Sequence, residues 1–218
     1  MKYPILKDVS ISKLISDSSL QHRVVTKGNE YSEDYLHGLA ENIRLNGLKK
    51  PIRVVELEKE DFNPITGVLF NVGDLIIVDG FHRKEAIARL GYEKSEVEIL
   101  KKGTFADAAA LSCSANADNE YSRRRGTGDI KQAIKDYIDF LKADSDRTGK
   151  KLFVFRYAKW AQLFKCTEQT LHHYDFVKEF RDEVKKVNVN GLLIRRRQAK
   201  APLRSLKRVL VSHMAAKL

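Results

Sequence analysis

Leu75-Ile76-Ile77-Val78 is followed at once by Asp79-Gly80, and then by the segment from Phe81 to Gly91. A short apolar, β-branched run of this kind predicts a buried strand. Gly80 can take backbone angles that other residues avoid, so the strand ends in a sharp turn. His82 to Leu90 then predicts a helix. Ala86, Ile87 and Leu90 share one face, Lys84, Glu85 and Arg89 lie on the other, and Gly91 suits the stop. Strand, glycine turn and helix together constrain the fold more than any other stretch, and they put His82 and Arg83 in the first helical turn. Free N–H groups at a helix start attract anions, and an exposed Arg83 beside His82 would complete a phosphate cradle. Taken without its flanks, the same stretch also reads as a turn carrying two solvated basic residues.

The chain of 218 residues is long enough for one or two domains with a real core. Its 40 Lys and Arg exceed its 29 Asp and Glu by 11. Such a balance favours a polyanionic partner, nucleic acid before anionic membrane. The excess is concentrated: no acidic residue follows Glu183, while ten basic ones do, and without those ten the balance falls to +1. Cys113 and Cys166 have no metal-ligand spacing and suit two free thiols in a reducing compartment. No apolar run approaches membrane-spanning length and the N-terminus carries no apolar signal core, so a cytoplasmic protein is expected.

Val9 to Ile11 predicts a first strand. Ser32 is placed to cap a helix running to about Leu45, with Leu36, Leu39, Ala40 and Ile43 at helical spacing. Asn46-Gly47 ends it, and Pro51 opens the next strand, Ile52 to Val55. A hairpin extension is expected between Glu56 and Asp74, with Gly67 to Phe70 strand-like. Val97 to Leu100 predicts another strand, and Phe105 to Ala117 an alanine-rich helix. Asp129 is placed to cap a long helix whose apolar face is Ile130, Ala133, Ile134, Tyr137, Ile138 and Leu141.

Two boxes in this order carry a resemblance. Gln21-His22-Arg23, an amphipathic helix and Gly47-Leu48-Lys49-Lys50-Pro51-Ile52-Arg53-Val54 resemble the first box of the ParB/sulfiredoxin superfamily. Gly80-Phe81-His82-Arg83, with Ala86 and Gly91, resembles its second. The resemblance implies an α+β fold: a small mixed sheet with helices, followed by an all-helical domain with a helix-turn-helix. The domain boundary is expected in the polar stretch Lys142 to Lys151 or slightly before Asp129, the latter giving a box domain over 1–125, a helical DNA-binding domain over 126–184 and a basic tail over 185–218. The resemblance also implies a nucleotide-phosphate pocket on Gly80, His82, Arg83 and Asn116, with a nucleoside triphosphate such as CTP and Mg²⁺ as cofactor. The chain departs from the partition proteins at Phe81 and Ala115, where carboxylates would stand, and at Asn119, where an arginine would. Carboxylates are the usual oxygen ligands of Mg²⁺, so hydrolysis is expected to be slow or absent. Phe81 also replaces the catalytic cysteine of sulfiredoxin, and a phenyl ring is no nucleophile.

Trp160 to Leu171 resembles a helix-turn-helix, with Ala161 in the first helix, Cys166 in the turn and Thr167 as cap of a second helix whose Leu171, Tyr174 and Val177 face inward. It departs at Lys165, where glycine is commoner. Thr167, Gln169, Thr170, His172 and His173 are the candidate DNA contacts on the second helix, and Arg195, Arg196 and Arg197 the phosphate contacts of the tail. Adjacent histidines diverge by about 100° on a helix, so no metal is expected at His172 and His173. A further amphipathic helix is expected from Gly191 onward. The resulting expectation is a protein that binds double-stranded DNA, as a homodimer on paired half-sites, in DNA partition or transcription control. One rival is an enzyme, a ParB-like nuclease or nucleotide-dependent phosphotransferase, with Asp79 or His82 as the acid or base; another is a DNA-binding protein whose box domain binds no nucleotide and only dimerises or holds a partner.

Overall fold

In the computed structural model, which describes residues 5–22, 33–115 and 126–199, Leu75–Asp79 is the strand β6 of a mixed five-stranded sheet. The other strands are β1 (Ile5–Ser10), β2 (Leu14–Ile15), β3 (Ile52–Leu57) and β7 (Lys94–Gly103), in the order β1-β7-β3-β6-β2. β1–β7 and β3–β6 pair antiparallel, whereas β3–β7 and β2–β6 pair parallel. The α+β class and the mixed sheet are those expected from the sequence.

The apolar run of β6 is continuous because both faces of the sheet are covered. Leu75 and Ile77 point to one face, where they pack with Ile52, Val54, Val97 and Ile99 against Ala40 and Ile43 of α1 (Glu33–Asn46) and Ala86 and Ile87 of α2 (Phe81–Arg89). Ile76 and Val78 point to the other, where Phe105, Ala108 and Ala109 of α3 (Phe105–Ser112) and Phe140 of α4 (Thr127–Thr148) cover them. β3 keeps Val54 on the first face and Val55 on the second, with a register shift against β7 at that step. Aromatic packing fastens α4: its Phe140 packs against Phe105 of α3 at 6.1 Å, and Phe105 in turn stacks on Phe70 at 5.1 Å. Burial, with smaller contributions from Cys113 and Asp107, pushes the Tyr137 phenol up to about 12.

Several elements differ from the expectation. The alanine-rich helix stops at Ser112. The Ser112 hydroxyl and the Cys113 thiol donate to Ala109 O, and the Ser114 hydroxyl to Leu111 O, so side chains take up carbonyls at the helix end. α4 starts two residues before Asp129. Gly126 is its cap residue, and the Asp129 carboxylate, in the third helical position, accepts the Gly126 N–H at 3.0 Å. The hairpin extension is two short strands, β4 (Asp61–Phe62) and β5 (Leu69–Phe70), rather than a strand from Gly67. Ser32, the expected cap of α1, lies outside the described residues.

The described backbone divides into two compact units. One holds the sheet, α1 to α4, α5 (Tyr157–Phe164) and α6 (Glu168–His172); the other holds Phe153–Phe155 and α7 (Asp175–Ala199). Position 126 lies within the first unit, where α4 and the sheet share one apolar cluster. In the second unit, Phe155 stacks on Phe180 at 6.2 Å. α7 runs unbroken through Gly191 to Ala199, and the rest of the amphipathic helix expected from Gly191 onward, with Leu203, Leu206, Leu210 and Met214, lies outside the described residues. No helix among the described residues is long and apolar enough to cross a membrane.

Candidate functional site

β6 ends at Asp79, and Gly80 turns the chain with φ +105 into α2. Two things demand glycine here. The left-handed backbone disfavours a side chain, and a Cβ would sit 3.0 Å from the Arg83 guanidinium. No side chain caps α2, whose first backbone bond runs from Lys84 N to Gly80 O at 2.9 Å. The first N–H groups of this helix therefore have no acceptor within it.

Arg83 is not the exposed cradle residue expected from the sequence. Its Nη1 donates to Lys50 O at 2.9 Å and Pro51 O at 2.7 Å, and its Nη2 lies 3.0 Å from Asp79 Oδ1. Only 16 % of its side chain is exposed. The reason is local. The turn at Gly80 brings the first turn of α2 over the α1–β3 loop, whose carbonyls need donors in a half-buried place. Asp79 is equally committed, to Arg83 and, at 3.9 Å, to Arg53. His82 presents its ring edge-on to Tyr35, with centroids 5.5 Å apart. Lys84 reaches across to Leu14 O at 2.6 Å and Ser16 Oγ at 3.0 Å, and burial holds its ammonium below the ordinary lysine range.

In front of this turn lies a cavity of about 570 Å³. Its walls are the α2 start (Gly80 to Arg83), one face of α1 (Tyr35, Gly38, Asn42), the Gly47 to Lys50 loop and, opposite, His22, Ser112 and Ala115. This volume lies within the range of small-molecule pockets. The cavity unites the two boxes: Gln21, His22, Gly47, Lys49, Lys50, Gly80, His82 and Arg83 all line it. Asn116 lies outside the described residues, next to the lining residue Ala115. Asp34, Asp79 and Asp129 also line the cavity, but Asp79 is held by arginines and Asp129 caps Gly126. Among the described residues, no group of three or more His, Cys, Asp or Glu side chains forms a metal site.

His22 has a role that sequence reasoning missed. Its Nδ1 lies 2.8 Å from Asp136 Oδ2 and its Nε2 2.9 Å from Ser112 Oγ, with only 9 % of the side chain exposed. Gln132 Nε2 donates to the other Asp136 oxygen at 2.7 Å. The imidazole therefore ties the segment at the cavity wall to α3 and α4. Its partners stand 90 and 114 residues away, so no local pattern could have flagged them. Arg23, beside it, lies outside the described residues.

The helix-turn-helix candidates fall on α5 and α6. Trp160 and Phe164 are buried against each other and against Tyr137. Lys165 adopts φ 48 at the C-cap of α5, which is the conformation that makes glycine common there. The Thr167 hydroxyl accepts the Thr170 N–H at 3.1 Å and caps α6 as expected. α6, however, holds only five residues. It closes with Tyr174 N bonding Leu171 O, and α7 starts anew at Asp175, so Val177 belongs to α7. Leu171 is buried and Tyr174 half-buried; Gln169, His172 and His173 are exposed, and Thr170 is half-buried. The His172 ring stacks on Tyr157 at 3.9 Å. Arg195, Arg196 and Arg197 lie in the last turns of α7, and their side chains are outside the described ones.

Three of the solved structures to which the chain is similar illustrate the likeness. One is a sulfiredoxin from Arabidopsis thaliana, at 22% identity and TM-score 0.31, covering 50% of this chain and 96% of that one. A second is a pNOB8-like ParB N-domain, at 13% identity and TM-score 0.46, covering 75% of this chain and 61% of that one. The third is the C-terminally truncated chromosome-partitioning protein ParB from Caulobacter crescentus, complexed with CTP-γ-S, at 17% identity and TM-score 0.36, covering 87% of each chain. No family model matches the chain, and no curated protein matches it.

Proposed function

We propose that this chain is a DNA-binding protein of the ParB-like kind, acting in DNA partition or transcription control, whose cavity holds the phosphates of a nucleoside triphosphate. The observation that carries this reading is the cavity of about 570 Å³ at the uncapped start of α2, with residues of both sequence boxes on its walls. The first N–H groups of α2 have no acceptor within the helix and carry its positive dipole end, so they would donate to phosphate oxygens. His82 lies on the wall beside them, and Lys49 and Lys50 supply charge from the α1–β3 loop. Arg83 is a positioning residue in this reading. It clamps that loop to α2 through Lys50 O and Pro51 O. Asn116 is a proposed phosphate neighbour on sequence grounds alone.

Duplex DNA is assigned to Thr167, Gln169, Thr170, His172 and His173 around α6 and to Arg195, Arg196 and Arg197 of α7, in a cytoplasmic, nucleoid-associated homodimer. The rival enzyme reading has less to work with, since Asp79 is occupied by two guanidinium groups. A Mg²⁺ ion accompanying the nucleotide would draw its ligands mainly from phosphate and water.

Calorimetric titration of CTP, ATP and GTP, with and without Mg²⁺ and duplex DNA, tests the reading. Wild type is expected to bind at least one triphosphate, and His82→Ala to weaken it about tenfold or more with the melting temperature unchanged, as for a lost charge-assisted contact. No binding of any triphosphate under all these conditions ends the proposal. Robust release of phosphate would move the protein to the enzyme class.

A further inference from the structure

Gly38 stands in the interior of α1, a 14-residue helix, where glycine is among the least favourable choices. The usual reasons for a glycine are missing. Its φ is not positive, and a Cβ built there would meet no heavy atom within 4 Å. Gly80 and Gly103 contrast with it. The first has φ +105 and the Arg83 guanidinium 3.0 Å from its Cβ position; the second would put a Cβ 2.3 Å from Asp107 Oδ2. Among the described residues, Gly38 faces neither the sheet nor a neighbouring element. The core-facing residues of α1 are Leu36, Ala40 and Ile43, and Gly38 lies with Tyr35 and Asn42 on the face that walls the cavity. The absent side chain therefore leaves bare helix backbone open to that space.

We infer that Gly38 is a specificity position, which keeps room on α1 for the nucleoside part of the ligand. This inference rests on the nucleotide reading of the cavity. Tyr35 touches His82 edge-on, so this end of the α1 wall lies beside the phosphate site. Gly38 follows Tyr35 by about one helical turn, roughly 5 Å further along the wall. A flat sugar-and-base unit extending from phosphates at α2 would pass over Gly38, between Tyr35 and Asn42. A methyl or larger group at position 38 would occupy that space and leave the phosphate end untouched.

The test uses the full chain with Gly38→Ala and Gly38→Leu, both good helix formers, titrated with CTP, ATP, GTP and inorganic tripolyphosphate. Gly38→Ala is expected to raise the melting temperature by about 2–4 °C, because it relieves glycine in a helix. Gly38→Leu is expected to weaken nucleoside triphosphates by about tenfold or more, as overpacking does, and tripolyphosphate by less than about twofold. Unchanged nucleotide affinity in both variants overturns the inference. So does equal loss for nucleotides and tripolyphosphate, or a wild type that binds tripolyphosphate as tightly as any nucleotide. A wild type that binds no triphosphate of either kind overturns instead the nucleotide reading on which it rests.

Discussion

Arg83 turns its guanidinium inward, although it sits in the first turn of a helix facing a cavity. Three acceptors hold it: two backbone carbonyls of the α1–β3 loop and the Asp79 carboxylate. Removing the side chain would leave all three in a place that is mostly closed to water. Breaking such a pair costs about 3–5 kcal/mol when fully buried, and the nearby Arg53 offsets part of it. We therefore expect Arg83→Ala to destabilise the protein by roughly 2–4 kcal/mol in urea unfolding. Arg83→Lys should recover only part, because an ammonium cannot reproduce the planar fork. A variant as stable as wild type would mean that the clamp is not formed in solution. Loss of ligand binding in Arg83→Ala would consequently not identify a ligand contact, and His82 is the better probe of the site.

At the scale of the element, helix ends decide much of the architecture. α3 begins with a capping box in which Thr104 accepts Asp107 N–H and the Asp107 carboxylate accepts Thr104 N–H at 2.9 Å. Burial pushes the Asp107 carboxyl up, but the Lys101 ammonium and the Thr104 N–H and hydroxyl outweigh it and hold it below the ordinary carboxylate range. Its folded value lies below its unfolded one. Its contribution is therefore complete above the unfolded value, near pH 4, and is lost as pH falls through the folded value. Asp107→Asn is expected to cost about 1 kcal/mol at neutral pH, the usual value of a cap. The gap to wild type should narrow below about pH 4. Urea unfolding of both proteins between neutral pH and acid would check this, and a gap that stays constant with pH would show the carboxylate charge to be irrelevant.

For the whole molecule, the asymmetry of charge matters most: all but one of the 11 excess positive charges lie beyond Glu183. α7 carries the first of these as one continuous helix, so truncation after Glu183 would cut an element whose Phe180 and Val184 are buried. Neutralising Arg195, Arg196 and Arg197 together to Gln keeps the helix and removes only charge. If all three engage phosphates, the dependence of log K on log salt should flatten by about 2–3 units, with nearly equal loss on specific and random duplexes. Gln169→Ala should instead weaken a preferred site by about 1–3 kcal/mol and leave random DNA unaffected. An unchanged salt slope in the triple variant would remove the arginines from the proposed DNA interface.

The sequence by itself determined what is local and periodic. The β6 run, the glycine turn, α1 and α2, the strand after Pro51 and the cap at Thr167 were all legible, because hydrophobic period and turn chemistry act within a few residues. The two boxes also pointed to the residues that wall the cavity. Only the tertiary structure decided which way those side chains turn. Arg83 faces the protein because the α1–β3 loop lies under it, and His22 is pinned by Ser112 and Asp136 from two other helices. It likewise decided that α4 covers the sheet, since an amphipathic helix states that it must be covered but not by what. Gly38 is another such case, since only the cavity beside it gives its bare backbone a surface to form. These outcomes depend on contacts between residues far apart in the chain, and such contacts are set by packing that no local window of sequence contains.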